Sequence, residues 1–579
     1  MTSTDAFSPV PPPLSVDELL ARPSVRAPAL SHDGTLLAAI AGDGEVPAAV
    51  TSPLLHWDPQ PLDVGAPAIT VAWSPTADRL AVGSPGGAVR VVQPAGGPAL
   101  TVTGLPAPVW SRLDGRLLMS ADGVLSALDA VTGVAQVLAD GAPGVLVDAA
   151  ADRLLLRGGP RGRRHLRVTD PTGAPLRRVP PAGAQGSAEL GRLTTSGAAV
   201  LVRTDADREW AALVEVEVAS GVQRLLAERE GAELDRFAVD RDERTAVLVW
   251  TRADGSSEVS VLELASGQER PVTGLPHGVV AWLDAGRTSA VLEVSTTTSP
   301  PGLWLLDLAG AVCTPLSPYL PDVRLVEGEH VDFRATDGLA LSGWLYRPRG
   351  AAVPGPAVVS LHGGPESQER PAWSPQLQAL AAAGIAVLAP NVRGSTGSGR
   401  SFLERDAGLG RLAAVGDVAA AAGFLIDAGV ADPRRLGVHG TSYGGFLALA
   451  AVTTHPAAFR AAASVSGLLD LPGFFAGTEP AIADAARTKY GDPRVDEALL
   501  RQLSPLPHLA GARVPTLLVH GDQDTNVPTQ QSRDAHARLL AAGVETELVL
   551  LAGEGHTALR RSSRVRETTA VTEWFTRQL

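Results

Sequence analysis

The sequence predicts two folded parts: an all-β front half made of repeated units and an α/β back half built on a mostly parallel sheet. Three observations carry this. A turn followed by an alternating apolar strand recurs through the front half at a near-constant interval. Past about residue 325, strand-like apolar runs alternate with alanine-rich, helix-like runs. At 579 residues, the chain is too long for one compact domain.

Residues 1–13 (MTSTDAFSPVPPP) lack a basic start and an apolar core, so they do not read as a signal peptide. Ser15–Ala21 (SVDELLA) reads as a short capped helix. The repeat begins beyond it. Turns at Gly34, Asp78, Gly115, Asp152, Gly197, Asp242 and Gly286 stand 37 to 45 residues apart, the period of propeller blades. Most are followed by a second strand pair, of which VSVLELASG and LWLLDLAGA are the clearest. Seven such units predict a seven-bladed β-propeller; an irregular β-sandwich of similar hairpins is the competing arrangement. We place an extension at residues 1–24, the propeller at 25–320 and the second domain at 321–579.

The second domain opens on HVDFRATDGLALSGWLYRPRG, an antiparallel hairpin with Asp337-Gly338 at its turn. The alternation after it predicts helices on both faces of a sheet, with functional side chains at the carboxyl ends of the strands. At one such end stands GTSYGG, Gly440 to Gly445, between the strand-like run Arg435–His439 and the helix-like run Phe446–Val452. Gly-x-Ser-x-Gly at that junction forces a sharp turn that lifts the hydroxyl clear of the sheet. Ser442 is therefore the candidate nucleophile. In a chain holding 61 Gly, one such match means little without partners.

A serine hydroxyl needs a base, and the base needs an orienting group. Around this elbow the chain order is Ser, acid, His, which leaves His455, His508, His520, His536 and His556. His536 sits in an amphipathic run that reads as a solvated helix face. His556 follows an apolar strand and a glycine loop, where an exposed imidazole belongs, and is the candidate base. Asp522 and Asp524 both follow the strand-like run Val514–His520, and Asp470 follows an earlier one; turn formation is the competing role for each. One oxyanion donor is expected from the N–H of Tyr443, and a second from the glycine loop His362-Gly-Gly-Pro365 after an apolar strand.

Taken in order, HGGPESQERPAW, PNVRGSTGSGRSF, GTSYGGF, HGDQDTNVP and GEGH resemble the prolyl oligopeptidase family of serine peptidases, nearest its acylaminoacyl-peptidase and dipeptidyl-aminopeptidase branch. The resemblance is dense over about the last 250 residues and only architectural before them. It implies an α/β-hydrolase domain, with Asp524 as the acid, His556 as the base and Gly364 completing the oxyanion hole with Tyr443. It puts Asn526 at the position that grips a substrate carbonyl, where a neutral amide adds direction without charge. It also implies an amino-terminal segment packed on the hydrolase domain and a propeller that admits only short or unfolded peptides. Trp373, Tyr443, Phe474 and Phe475 are candidates to line the pocket for the residue before the scissile bond, with core packing as their competing role.

Composition limits the alternatives. Scattered basic residues and a net charge of −13 argue against a nucleic-acid partner. LAAVGDVAAAAGFLIDAGV comes nearest to a membrane span, but two Asp interrupt it. The single Cys313 excludes an internal disulfide and reads as a small buried hydrophobe. No cofactor or metal is implied, and the expected location is cytoplasmic. The expected function is hydrolysis of short peptides or N-blocked or aminoacyl amides. An esterase or amidase acting on a small aminoacylated metabolite uses the same machinery, and a propeller-based binding protein with an inactive hydrolase domain is the alternative of another class. Cleavage direction, side-chain preference and assembly into a homo-oligomer are left open.

Overall fold

The computed structural model describes residues 12–579 except 43, 97–98, 104–108, 113, 122–123, 141–143 and 320. Seven four-stranded antiparallel sheets follow one another along the front half, each made of four consecutive strands. The first blade runs Val25–Leu30, Leu36–Ala41, Ala48–Pro53 and Gln60–Pro61. The last runs Val279–Ala285, Ser289–Thr296, Ser299–Asp307 and Val312–Pro315. The turns that carry the repeat demand left-handed backbone: Gly34, Gly115 and Gly197 hold φ of 75°, 66° and 69°.

Among the described residues no strand is exchanged between the first and last blades, and side chains close the ring. Leu37, Ala39 and Val50 of the first blade share one buried cluster with Val291 and Leu303 of the last. Two carboxylates reinforce the seam: Ala27 N–H donates to Glu293 Oε2 at 2.7 Å and Leu30 N–H to Asp284 Oδ2 at 2.8 Å. Cys313 is 3% exposed in the last blade's core, and burial pushes its thiol up to about 12.

The back half is one eight-stranded sheet in the order Gly328–Arg334, Ala340–Tyr346, Ala386–Asn391, Gly355–Leu361, Ala431–Thr441, Ala461–Val465, Thr516–Gly521, Thr546–Leu551. The first two strands form the hairpin around Gly338 and pair antiparallel; from Ala386–Asn391 onward every pairing is parallel. Helices Gly410–Asp427 and Tyr443–Thr454 bury one face of the sheet, with Val418, Ala421, Leu447 and Leu449 at its centre. Helices Pro375–Ala382 and Arg561–Gln578 bury the other through Leu377, Leu380, Val571 and Trp574. Among the described residues no single helix is long and apolar enough to cross a membrane.

The short helix Val16–Leu20 carries a reciprocal capping box between Ser15 and Glu18. Leu14 and Leu19 pack against Leu325 and Ala379, and Asp17 pairs with Arg561 at 3.1 Å. Propeller and hydrolase meet through polar contacts. Arg370 pairs with Asp235 at 2.8 Å and donates to Gly255 O at 2.7 Å. Gly399 N–H donates to Glu233 Oε1 at 3.0 Å. On the opposite side Ser562 N–H donates to Glu45 Oε2 at 3.2 Å.

Candidate active site

Ser442 sits between the end of strand Ala431–Thr441 and the start of helix Tyr443–Thr454, with φ 57° and ψ −114°. A β-carbon in left-handed backbone is strained, and the strain is held by what surrounds the turn. A β-carbon on Gly440 would stand 2.2 Å from the Gly444 carbonyl, and one on Gly444 would stand 2.0 Å from Leu361 O. Both glycines are obligatory, and together they let helix, elbow and neighbouring strand touch backbone to backbone. The helix starts directly after the serine, three residues earlier than the apolar run suggests, because Tyr443, Gly444 and Gly445 are all buried helical residues.

The structure brings three of the expected side chains into line. His556 Nε2 lies 3.0 Å from Ser442 Oγ, and His556 Nδ1 lies 2.7 Å from Asp524 Oδ2. Asp524 follows strand Thr516–Gly521, and Gly521 lets the two loops meet: a β-carbon there would stand 2.1 Å from Gly555 O. The other Asp524 oxygen accepts the N–H groups of Asn526 and Val527, both at 2.9 Å. Burial alone would raise this carboxyl, but hydrogen bonds from His520 and His556 outweigh it and hold Asp524 well below the usual carboxylate range. The competing acids have other employment. Asp470 caps helix Leu471–Gly477 through Gly473 N–H at 3.2 Å, and Asp522 accepts Gly553 N–H at 2.8 Å.

Tyr443 is the first residue of its helix, so its N–H has no intrahelical acceptor. The glycine loop runs alongside: a β-carbon on Gly363 would be in ordinary contact, 3.5 Å, with Ser442 Cβ. Gly364 holds φ 134° and is exposed. His362 anchors the loop, with Nδ1 donating to Gly363 O at 2.6 Å and Nε2 2.9 Å from Ser395 Oγ. Burial pushes His362 below the usual imidazole range, which suits a structural role. Asn526 is half-buried beside Asp524, its backbone carbonyl accepting Thr478 Oγ1–H at 2.7 Å.

The aromatic candidates divide. The Tyr443 ring is 1% exposed, and Phe474 is 2% exposed in the main core, edge-on to the half-buried Phe475 at 5.3 Å. Trp373 is packed with the amino-terminal helix cluster, under the Arg22 guanidinium at 5.8 Å. These contacts put Trp373 and Phe474 in packing roles and leave Phe475 the more open.

Two features lie outside the sequence reading. The first is His520, 0% exposed, whose Nδ1 accepts from Ser532 Oγ at 2.7 Å and whose Nε2 faces Asp524 Oδ2 at 3.1 Å and Val527 O at 3.0 Å. Both of the latter oxygens accept, so Nε2 carries the proton. The second is a buried charged cluster beneath Tyr443. Asp406 pairs with Lys489 at 2.8 Å and Arg411 at 3.2 Å and receives the Tyr443 hydroxyl at 3.3 Å. Arg411 also lies over the Tyr443 and Tyr490 rings at 4.9 and 4.2 Å. Its members come from three separate segments, so no local pattern announces it. Glu366 borders the cluster, 3.9 Å from both Lys489 and Arg161.

A serine raised on a strand–helix elbow, with an imidazole and a carboxylate in line behind it, is the constellation of a serine hydrolase. Residues 371–579 match the prolyl oligopeptidase family. The chain is 30% identical over 262 residues to the uncharacterized peptidase YuxL of Bacillus subtilis, covering 43% of this chain and 39% of the relative. It is 28% identical over 420 residues to dipeptidyl aminopeptidase BIII of Pseudoxanthomonas mexicana, covering 67% and 59%. The chain thus spans less than two thirds of either relative's length. The crystal structure of a puromycin hydrolase has the same fold, with a TM-score of 0.85 at 21% identity over 99% of this chain and 96% of that one.

Proposed function

We propose that this chain is a serine peptidase that cleaves short peptides or N-blocked or aminoacyl amides through an acyl-enzyme formed on Ser442. One observation carries the reading: a single imidazole, His556, bridges the Ser442 hydroxyl and the Asp524 carboxylate at 3.0 and 2.7 Å. His556 Nε2 takes the hydroxyl proton as Oγ attacks the carbonyl carbon. Asp524, ionised and held by four donors, orients the ring and stabilises the imidazolium. The N–H groups of Tyr443 and Gly364 receive the oxyanion. His556 returns the proton to the departing amine, and water repeats the sequence to release the acyl group.

The propeller supports a restriction to short substrates. Its channel is lined at the end away from the hydrolase by the Arg112–Asp148 pair at 2.7 Å and by Arg241, which donates to Leu30 O at 2.9 Å. The cavity there holds about 540 Å³, room for a short peptide and not for a folded protein. In the test, a fluorophosphonate labels the wild-type protein, and Ser442→Ala abolishes labelling. A panel of aminoacyl-nitroanilides, N-acyl peptides and nitrophenyl esters then separates peptidase from esterase. Unlabelled wild-type protein that hydrolyses none of the panel would overturn the proposal.

A further inference from the structure

A cavity of about 580 Å³ opens where the first and last blades face the hydrolase, and His556 forms part of its wall. That volume suits a ligand of one or two residues. Two guanidinium groups also line it: Arg26, from the first blade, and Arg564, from helix Arg561–Gln578. Among the described residues neither has a carboxylate within 4 Å or a side-chain hydrogen bond, and Arg564 Nε is buried without a partner. The two charges are close enough to repel, so that burial first, and then Arg26, make the Arg564 cation less favourable. Arg26 is exposed and Arg564 half-buried, so the cost of the unpaired, repelled cation falls on Arg564, and an anion bound between the two would relieve it.

We propose that this cavity receives the leaving fragment of the substrate and that Arg26 and Arg564 bind its free α-carboxylate, making the enzyme selective for short leaving fragments with an unblocked carboxyl end. The proposal rests on the serine peptidase reading above. The direction follows from chemistry: His556 must hand a proton to the departing amine, so the leaving side of the substrate passes His556. Two acids share the cavity without forming an ion pair with either arginine, although Arg26 draws Glu293 down and the more distant Glu45 and Glu554 favour the Arg564 cation. Glu293 is engaged with Ala27 N–H, and burial raises it. Glu567 is pushed up to about 7 by burial and by Glu554.

The test uses the full chain and a series of tri- to pentapeptides, each made both as free acid and as carboxy-terminal amide. Within each variant the amide is the internal reference, so partial loss of folded protein cancels. Wild type should prefer the acid by at least about tenfold in kcat/KM, the size of a charge-assisted hydrogen bond. Arg26→Gln and Arg564→Gln, made separately, should each bring the ratio toward one, and Arg564→Glu should take it below one. An acid-to-amide ratio near one in wild type, or a ratio that both glutamine variants leave unchanged, overturns this inference while the peptidase reading stands. Failure to hydrolyse any peptide, together with absent fluorophosphonate labelling, overturns both.

Discussion

His520 Nε2 lies 3.1 Å from Asp524 Oδ2, the same oxygen that His556 Nδ1 approaches to 2.7 Å. The carboxylate is therefore clamped between two imidazoles, one fully buried and one facing Ser442. His520 is a positioning residue: it fixes the Asp524 rotamer and, by donating to it, lowers its basicity. His520→Leu should reduce kcat/KM by about ten- to a hundredfold, the loss of one charge-assisted hydrogen bond. It should also move the acid limb of the pH profile upward, because a more basic Asp524 holds the His556 imidazolium more tightly. A limb that stays in place while kcat/KM falls would assign His520 to packing alone.

The pH dependence has a definite sign. The base must be neutral to accept the serine proton, so kcat/KM should rise with pH through the range in which imidazoles titrate, about 5 to 8. Asp524 stays ionised throughout that range, because its folded-state pKa is depressed. Its contribution to stability is present above the unfolded carboxyl pKa and is lost only as the pH falls through the lower folded value. A rate that is flat from pH 5 to 8 would remove His556 from the role of base.

Substitutions in the triad should act as a unit. Ser442→Ala and His556→Ala should each lower kcat by about 10⁴-fold or more, and Asp524→Asn by about 10⁴-fold through the wrong imidazole tautomer. Combining two of them should cost little beyond the larger single effect. Losses that multiply in single-turnover measurements would indicate independent roles.

Tyr443 separates backbone from side chain. Its N–H is the proposed oxyanion donor, whereas its hydroxyl reaches the buried Asp406 at 3.3 Å. Tyr443→Phe keeps the donor and removes one long hydrogen bond, so kcat should change by less than about tenfold while stability falls by about 1 kcal/mol. Thermal melts and initial rates measured together decide it; a loss of about a thousandfold in kcat would put the hydroxyl itself in the reaction.

Glu366 should make the domain interface pH-sensitive. Burial pushes it up to about 7, against the opposing pull of Lys489 and Arg161. A carboxyl raised on folding costs nothing below its unfolded pKa and becomes progressively destabilising as pH rises toward its folded value, by up to about 3 kcal/mol. Glu366→Gln should therefore raise Tm at pH 8 and leave it nearly unchanged at pH 4. An equal shift at both values would show that ionisation of Glu366 does not set the pH dependence.

Local chemistry in the chain determined a great deal. The turn spacing from Gly34 to Gly286 set the blade count, because each blade must reverse direction at similar intervals. GTSYGG marked the elbow, because a β-carbon on Gly440 or Gly444 would stand only 2.2 or 2.0 Å from neighbouring backbone. Ser442 and His556 were legible as strand-end residues in a fixed chain order. Asp524 was not separable from Asp522 by local pattern, since both follow the same strand and both suit a turn.

Tertiary structure decided the rest, because it depends on which distant groups share a buried volume. Folding brings His520 beneath Asp524, sends Trp373 to the amino-terminal helix and Phe474 into the core, and assembles Asp406, Arg411, Lys489 and Tyr443 from separate segments. It also sets Arg26 and Arg564, more than five hundred residues apart in the chain, on the wall of one cavity. A sequence records what each side chain can do within its own few neighbours, while desolvation and charge pairing are settled by atoms that only the folded chain brings within a few ångströms.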